Sequence, residues 1–185
     1  MNYTIYLKLT NRCNLKCDHC FNEMMNNHND MNDIVIKKSI QWINDFVQNH
    51  CNDDVGCQLF GGEPCLTDPN ILLDIIRQTN KSNVYWSITT NLVYPLTDRH
   101  IELFNMMQPY HDRSIKLIQT SWDPVIRFKS KRQLSQWTDN VHSLINNGIE
   151  VQPTICITSA LISDYTPEAV FDYMKAPVSY THLTL

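Results

Sequence analysis

Strand-like and helix-like segments alternate along the chain, and this alternation constrains the fold more than any other feature of the sequence. Strand-like segments alternate apolar with polar residues, whereas helix-like segments repeat apolar residues every three to four positions. The predicted strands are Tyr3–Leu9, Val55–Phe60, Asn83–Thr89, Ile115–Thr120 and Ile149–Ile157. The predicted helices begin at about Asp33, Thr67, Asp98, Ser130 and Thr166. Five strand–helix units with no linker between them predict one α/β domain with a parallel sheet and helices outside it.

One face of the predicted strands is polar. The first strand sets Ile5 and Leu7 against Tyr6 and Lys8, and the segment Ile149–Ile157 alternates in the same way. Parallel strands that are covered by helices on both faces are usually apolar on both. We therefore expect a curved sheet with helices on one side and a ligand-filled lumen on the other, rather than a doubly wound sheet.

Three cysteines lie in the loop after the first predicted strand. Cys13, Cys17 and Cys20 have the spacing C-x3-C-x2-C. Three thiolates so close in sequence cannot pair off as disulfides, but they can bind three irons of a 4Fe–4S cluster, which four cysteines normally complete. Because the next cysteine, Cys51, lies beyond a predicted helix, one iron is expected to stay open. The alternative is a zinc site completed by His19, although adjacent ligands strain a tetrahedral site.

A second motif, Gly61-Gly62-Glu63-Pro64, directly follows the second predicted strand. Loops at the carboxyl ends of parallel barrel strands carry active sites. Two glycines allow the backbone to approach a ligand closely, and the Glu63 carboxylate can accept a hydrogen bond from an ammonium group. Asn91, Ser121 and Asp123 follow the third and fourth strands and are expected at the same edge of the sheet. The alternative for all of them is ordinary turn chemistry.

Together the two motifs resemble the signature of the radical S-adenosylmethionine (radical SAM) superfamily. The resemblance implies a partial (β/α)6 barrel, of which about five units are present. It implies that Cys13, Cys17 and Cys20 hold a 4Fe–4S cluster, and that S-adenosylmethionine (AdoMet) chelates the open iron. It also assigns the amino group of AdoMet to the loop Gly61–Glu63. The candidates for its ribose or carboxylate are Asn91, Ser121 and Asp123.

The same resemblance implies an enzyme. A reductant such as flavodoxin or ferredoxin would deliver one electron, AdoMet would be cleaved to methionine and a 5′-deoxyadenosyl radical, and the radical would abstract hydrogen from a substrate. The element Ser121-x-Asp123 resembles the peptide-modifying, SPASM-type branch, which favours a peptide or protein substrate. An enzyme that activates a glycyl-radical partner is the alternative within this chemistry. A non-catalytic zinc-binding module is the alternative from another class.

The final residues, 177–185, read Pro-Val-Ser-Tyr-Thr-His-Leu-Thr-Leu. This resembles the translation of a transposase adapter used in sequencing libraries, and the alternative is an ordinary terminal strand. We therefore expect residues 1–176 to be a radical SAM core domain that is incomplete at its carboxyl end, and residues 177–185 not to be native.

Charge and hydropathy exclude some classes of partner. The net charge of −4 argues against a nucleic-acid partner, and no apolar run approaches the length that spans a membrane. The amino terminus lacks a secretion signal, so the cysteines imply a reducing cytoplasm. Arg12 and Lys16 flank the cysteines and are candidates to stabilise negative charge there. The basic stretch Arg127–Arg132 is expected to be solvated surface.

Overall fold

The computed structural model describes residues 2–18, 20, 29–107, 118–123, 127–156 and 159–178. Its strands are β1 (Asn2–Thr10), β2 (Asp54–Gly61), β3 (Val84–Thr90), β4 (Ile118–Ser121) and β5 (Val151–Thr154). Its helices are α1 (Asp33–Asn49), α2 (Pro69–Thr79), α3 (Asp98–Met106), α4 (Lys131–Asn146), α5 (Ser159–Asp164) and α6 (Pro167–Val178). A short 3₁₀ turn, Pro64–Leu66, lies between β2 and α2.

The five strands form one parallel sheet in the order β1-β2-β3-β4-β5. Crossovers between parallel strands are nearly always right-handed, so strands added in sequential order place their helices on the same face of the sheet. The structure therefore confirms the predicted α/β architecture, with a sheet wound in one direction as in a partial barrel. In a doubly wound sheet the strand order would reverse.

Apolar residues in register join the strands on the helix-covered face. Leu7 pairs with Leu59, Leu59 with Ile88, Ile88 with Ile118, and Ile118 with Val151. The first four are buried. A slip of one residue would turn this row to the opposite face, so burial of the row fixes the register.

Polar residues lie on the other face of the sheet, as the alternation predicts. The Gln58 side-chain amide donates to the Thr89 hydroxyl at 2.8 Å, and this hydroxyl donates to the Gln119 side-chain oxygen at 3.3 Å. In the next pairing Gln119 is in register with Gln152. The lumen side of the sheet is thus a hydrogen-bonded polar surface.

All helices except α5 begin close to where the sequence predicts, and several of them begin at side chains that cap them. Asn32 caps α1, and its side chain accepts a hydrogen bond from the Val35 N–H at 3.0 Å. Asp68 caps α2, in which proline occupies the first helical position, and Ser130 caps α4. Within the described residues, none of the helices combines the length and the apolar character needed to cross a membrane.

The structure differs from the prediction at the carboxyl-terminal end of the sheet. The strand predicted at Ile149–Ile157 is only Val151–Thr154. Before the strand the Ile149 N–H donates to the Leu144 carbonyl at the end of α4, and after it the Cys156 N–H donates to the Asp123 carboxylate. Helix α5 was not predicted. The first three residues of the strand predicted at Ile115–Thr120, and residues 179–185 of the suspected tail, lie outside the described residues.

Candidate functional site

A cavity of about 350 Å³ opens where the loops after the strands converge. This volume lies within the usual range of small-molecule pockets. Eight of the nine residues predicted from the sequence line it, and they come from the loops after β1, β2 and β3 and from the end of β4. They are Cys13, Cys17, Cys20, Gly61, Gly62, Glu63, Asn91 and Ser121. The ninth, Asp123, does not line the cavity.

The cysteine loop brings three thiols to one wall of this cavity. Cys17 is buried, whereas Cys13 and Cys20 are half-buried, and none of them forms a disulfide. The Cys20 N–H donates to the Cys17 carbonyl at 3.1 Å, which closes the loop. Burial raises the pKa of both Cys13 and Cys17. The charge of Arg127 opposes this rise at Cys17.

The two glycines let the second loop touch the cysteine loop. The Gly62 N–H donates to the Thr10 carbonyl at 3.0 Å, and the Glu63 N–H donates to the Arg12 carbonyl at 2.8 Å. A Cβ atom on Gly62 would overlap the Arg12 carbonyl oxygen, and Gly61 has a φ of +141°. The sequence suggested glycines for close approach to a ligand. The structure adds a second reason, which is the close approach of two backbone segments.

The Glu63 carboxylate lies at the cavity wall with only 1% of the residue exposed. Its Oε1 accepts hydrogen bonds from the Cys65 N–H at 3.0 Å and the Thr90 hydroxyl at 2.7 Å, and its Oε2 accepts from the Asn91 N–H at 2.6 Å. Burial raises the pKa of Glu63 to about 7, against the effect of these donors. Within the described part of the chain, no lysine or arginine forms an ion pair with it. Such a carboxylate suits the ammonium group of a ligand.

Asn91 lines the cavity, but its side chain also holds two loops together. Its Nδ2 donates to the Asn14 side-chain oxygen at 2.8 Å, and its Oδ1 accepts from the Val93 N–H at 2.8 Å. Asn14 in turn donates to the Val93 carbonyl. Sequence reasoning missed Asn14, although it lies between the first two cysteines of the motif.

Ser121 and Asp123 separate at the end of β4. Ser121 is the last residue of the strand and lines the cavity. Beyond it the Trp122 N–H donates to the Thr154 carbonyl, and the Asp123 carbonyl accepts from the Arg127 N–H. Because β4 ends at Ser121, only Ser121 of this pair lines the cavity. Asp123 is instead buried behind the cavity wall, with 3% of the residue exposed.

Arg127 is a site residue that the sequence analysis assigned to solvated surface. Its side chain is only 14% exposed, and its Nε donates to the Asp123 carboxylate at 3.0 Å. Its Nη1 donates to the Cys17 Sγ at 3.3 Å. The separation of four residues between Asp123 and Arg127 was a local signal of their ion pair, but nothing local indicated the contact with Cys17. By contrast, Arg12 pairs with Asp30 at 2.9 Å.

The donor set of the cavity fits an iron–sulfur cluster. Cysteine thiolates are soft ligands that bind such clusters, with one thiolate on each iron. Within the described ranges, no group of three His, Cys, Asp or Glu side chains is arranged so as to hold a metal ion. His19, the candidate zinc ligand, lies outside these ranges.

The fold and the cavity define a parallel α/β protein whose cysteine-lined site lies at the carboxyl ends of the strands. The family model described as the radical SAM superfamily matches residues 7–176. The chain therefore belongs to this superfamily, whose members bind a 4Fe–4S cluster and AdoMet. A comparison with curated protein sequences gives no match.

Several solved structures have the same fold. The histidine-tagged anSMEcpe with bound AdoMet has a TM-score of 0.74 at 19% identity, over 95% of this chain and 48% of that chain. The native anSMEcpe with bound AdoMet and the Cp18Cys peptide has a TM-score of 0.73 at 19% identity, with the same coverage. Streptococcus suis SuiB bound to S-adenosylmethionine has a TM-score of 0.56 at 17% identity, over 94% of this chain and 35% of that chain. The chain thus spans about half the length of anSMEcpe.

Proposed function

We propose that this chain carries the catalytic core of a radical SAM enzyme. In this proposal Cys13, Cys17 and Cys20 hold a 4Fe–4S cluster, and AdoMet lies between these cysteines and the loop Gly61–Glu63. When bound, the cluster and AdoMet together supply a reductive cleavage to methionine and a 5′-deoxyadenosyl radical that abstracts hydrogen from the substrate. The observation that carries the proposal is the cavity in which all three thiols and the buried Glu63 carboxylate meet.

The residues around the cavity bind and orient rather than react. Glu63 accepts a hydrogen bond from the ammonium group of AdoMet. Ser121 provides a hydroxyl that can hydrogen-bond to the ribose or the carboxylate of AdoMet. Asn91 keeps the loop after β3 against the cysteine loop through Asn14. No residue is assigned a proton-transfer role.

We further propose a peptide or protein substrate and a flavodoxin or ferredoxin as electron donor. Support for the substrate class is the Ser121-x-Asp123 element, together with the solved structure of similar fold that holds a peptide. Activation of a glycyl-radical partner is the second candidate and uses the same core. All seven cysteines are free, which fits a reducing compartment such as the cytoplasm.

The domain boundary is also a proposal. The family match ends at residue 176, which supports residues 1–176 as the native part of the core and residues 177–185 as adapter-derived. Resequencing the locus with a library made without transposase adapters tests this. Recovery of the same nine codons would contradict it.

Anaerobic reconstitution with iron and sulfide tests the cofactor proposal. The reduced protein is expected to give a 4Fe–4S signal in electron paramagnetic resonance (EPR) that changes when AdoMet is added. Cys17→Ala should abolish cluster uptake, whereas the matched variant Cys51→Ala should retain it, because Cys51 is exposed and outside the cavity. A colourless protein that retains zinc would favour the zinc-binding module. A cluster signal that is indifferent to AdoMet would contradict the assignment of the Gly61–Glu63 loop.

A further inference from the structure

Three side chains, linked by hydrogen bonds, connect the end of β4 to the cysteine loop. The Asp123 carboxylate accepts from the Arg127 Nε at 3.0 Å, and the Arg127 Nη1 donates to the Cys17 Sγ at 3.3 Å. A guanidinium group presents its N–H donors in a rigid fork, so the ion pair with Asp123 also fixes the direction in which Nη1 points.

Backbone hydrogen bonds anchor Asp123 and Arg127. The second oxygen of Asp123 accepts from the Cys156 N–H at 2.8 Å, and the Asp123 carbonyl accepts from the Arg127 N–H at 3.0 Å. The Trp122 N–H donates to the Thr154 carbonyl at 2.9 Å, which ties this segment to the end of β5. The position of Arg127 is therefore set by backbone contacts at the ends of β4 and β5.

A neighbouring ion pair provides a contrast. The Lys129 Nζ lies 2.7 Å from the Asp18 carboxylate, next to Cys17 in sequence, but the Lys129 side chain is 46% exposed. Solvent screens exposed charges, whereas a charge held near a thiolate in a buried place acts at a lower effective dielectric. Of these two cations, Arg127 is the one that is held in a buried place and in direct contact with the Cys17 sulfur, at 3.3 Å.

Hydrogen bonds to cluster sulfurs and nearby positive charge raise the reduction potential of an iron–sulfur cluster, because the reduced state carries more negative charge. We propose that Arg127 raises the reduction potential of the 4Fe–4S cluster by donating a hydrogen bond to the Cys17 thiolate, and that Asp123 is a positioning residue that holds the guanidinium there. The inference rests on the proposed function, since it requires the cluster. It removes Asp123 from the residues that contact AdoMet.

The direction in which Asp123→Asn shifts the reduction potential distinguishes two possible roles of Asp123. If Asp123 acted on the cluster only through its own negative charge, Asp123→Asn would raise the potential. If Asp123 acts by holding Arg127, the same variant releases the guanidinium and lowers the potential. Asparagine keeps an oxygen that can accept from the Cys156 N–H, so the anchoring of the loop is largely retained.

An EPR-monitored redox titration of the reconstituted protein tests the inference, with dithionite as the one-electron reductant and without AdoMet. Leaving AdoMet out excludes effects of contacts between Arg127 and that ligand. We expect Arg127→Met to lower the equilibrium constant for cluster reduction about tenfold, which is about 59 mV for one electron. Asp123→Asn should shift the potential in the same direction. Lys129→Met removes the same charge two residues away and should shift it much less.

Some outcomes would overturn the inference. One is an Arg127→Met shift no larger than that of Lys129→Met, and another is a rise of the potential in Asp123→Asn. Should Arg127→Met take up no cluster, Arg127→Lys replaces it. This variant keeps the charge but loses the forked donor, and it should give a smaller lowering; an unchanged potential would overturn the hydrogen-bond role. Failure of the unmodified protein to take up a cluster would instead contradict the proposed function.

Discussion

Replacing Glu63 with glutamine is expected to remove a pH dependence from the folding stability of the cofactor-free protein. Burial raises the pKa of Glu63 from 4.5 to about 7. One pKa unit corresponds to about 1.4 kcal/mol, so protonation of this one group should account for about 3 kcal/mol of the free energy of unfolding. Because the residue is almost fully buried, solvent screening does not reduce this figure much.

The sign follows from where the proton is held. Between pH 4.5 and about 7 the folded Glu63 keeps a proton that the unfolded chain has released. The stabilisation is therefore fully present below pH 4.5 and is lost as the pH rises through about 7. His100 acts in the opposite direction. Burial lowers its pKa, so its contribution to the stability of the folded protein increases as the pH rises. Since both proteins contain His100, its effect cancels in their difference.

Urea unfolding followed by circular dichroism from pH 5 to pH 8 measures this difference. Glutamine places an amide N–H₂ where a carboxylate oxygen accepted a backbone N–H, which should destabilise the variant by about 1–3 kcal/mol at every pH. The variant should lack the decline of stability towards pH 7. Glu150→Gln, at an exposed glutamate, should keep the wild-type profile. A constant difference between wild type and Glu63→Gln across the whole range would refute the reasoning.

Two further predictions concern the same loop. Gly62→Ala should destabilise the protein by about 1–3 kcal/mol and impair cluster uptake, since its Cβ would overlap the Arg12 carbonyl oxygen. The control is Gly148→Ala, because a Cβ there would have no atom within 4 Å, at a φ of +70°. This variant should lose only about 1–2 kcal/mol of stability through backbone strain and keep normal cluster uptake. Equal cluster uptake in both variants would contradict the prediction for Gly62→Ala. If Glu63 accepts a hydrogen bond from the ammonium group of AdoMet, binding below pH 7 must release the proton of Glu63. The affinity for AdoMet should therefore rise by up to about tenfold per pH unit towards pH 7. Calorimetry in two buffers of different ionisation enthalpy measures that proton, and an identical heat in both buffers would argue against this role of Glu63.

The fold could be predicted because its determinants are local. The period of the apolar residues locates each helix, and caps such as Asn32 and Ser130 mark where two of them begin. The alternation in β1 correctly indicated one polar face. The length of β5 could not be read in this way, because Ile149 continues the alternation but its N–H is taken by the end of α4.

The site could be predicted only where a motif carries it. Cys13, Cys17, Cys20 and Glu63 lie in motifs whose spacing is visible in the chain. Arg127 contacts Cys17 across 110 residues of sequence, and no local pattern distinguishes an arginine that folds back onto a thiol from one that faces solvent. Only the pairing of strands, which brings the ends of β1 and β4 to the same edge, creates this contact.

Glu63 shows how closely the architecture and the ligand site depend on each other. Its backbone N–H binds the loop after β1 through Arg12, and its carboxylate binds the loop after β3 through the Asn91 N–H. A carboxylate has about four acceptor sites, two on each oxygen. Oε1 accepts from the Cys65 N–H and the Thr90 hydroxyl, whereas Oε2 accepts from the Asn91 N–H. The Cys65 side chain also forms a hydrogen bond with this carboxylate, so a ligand ammonium group would have to share its acceptor sites with the donors that hold the loops.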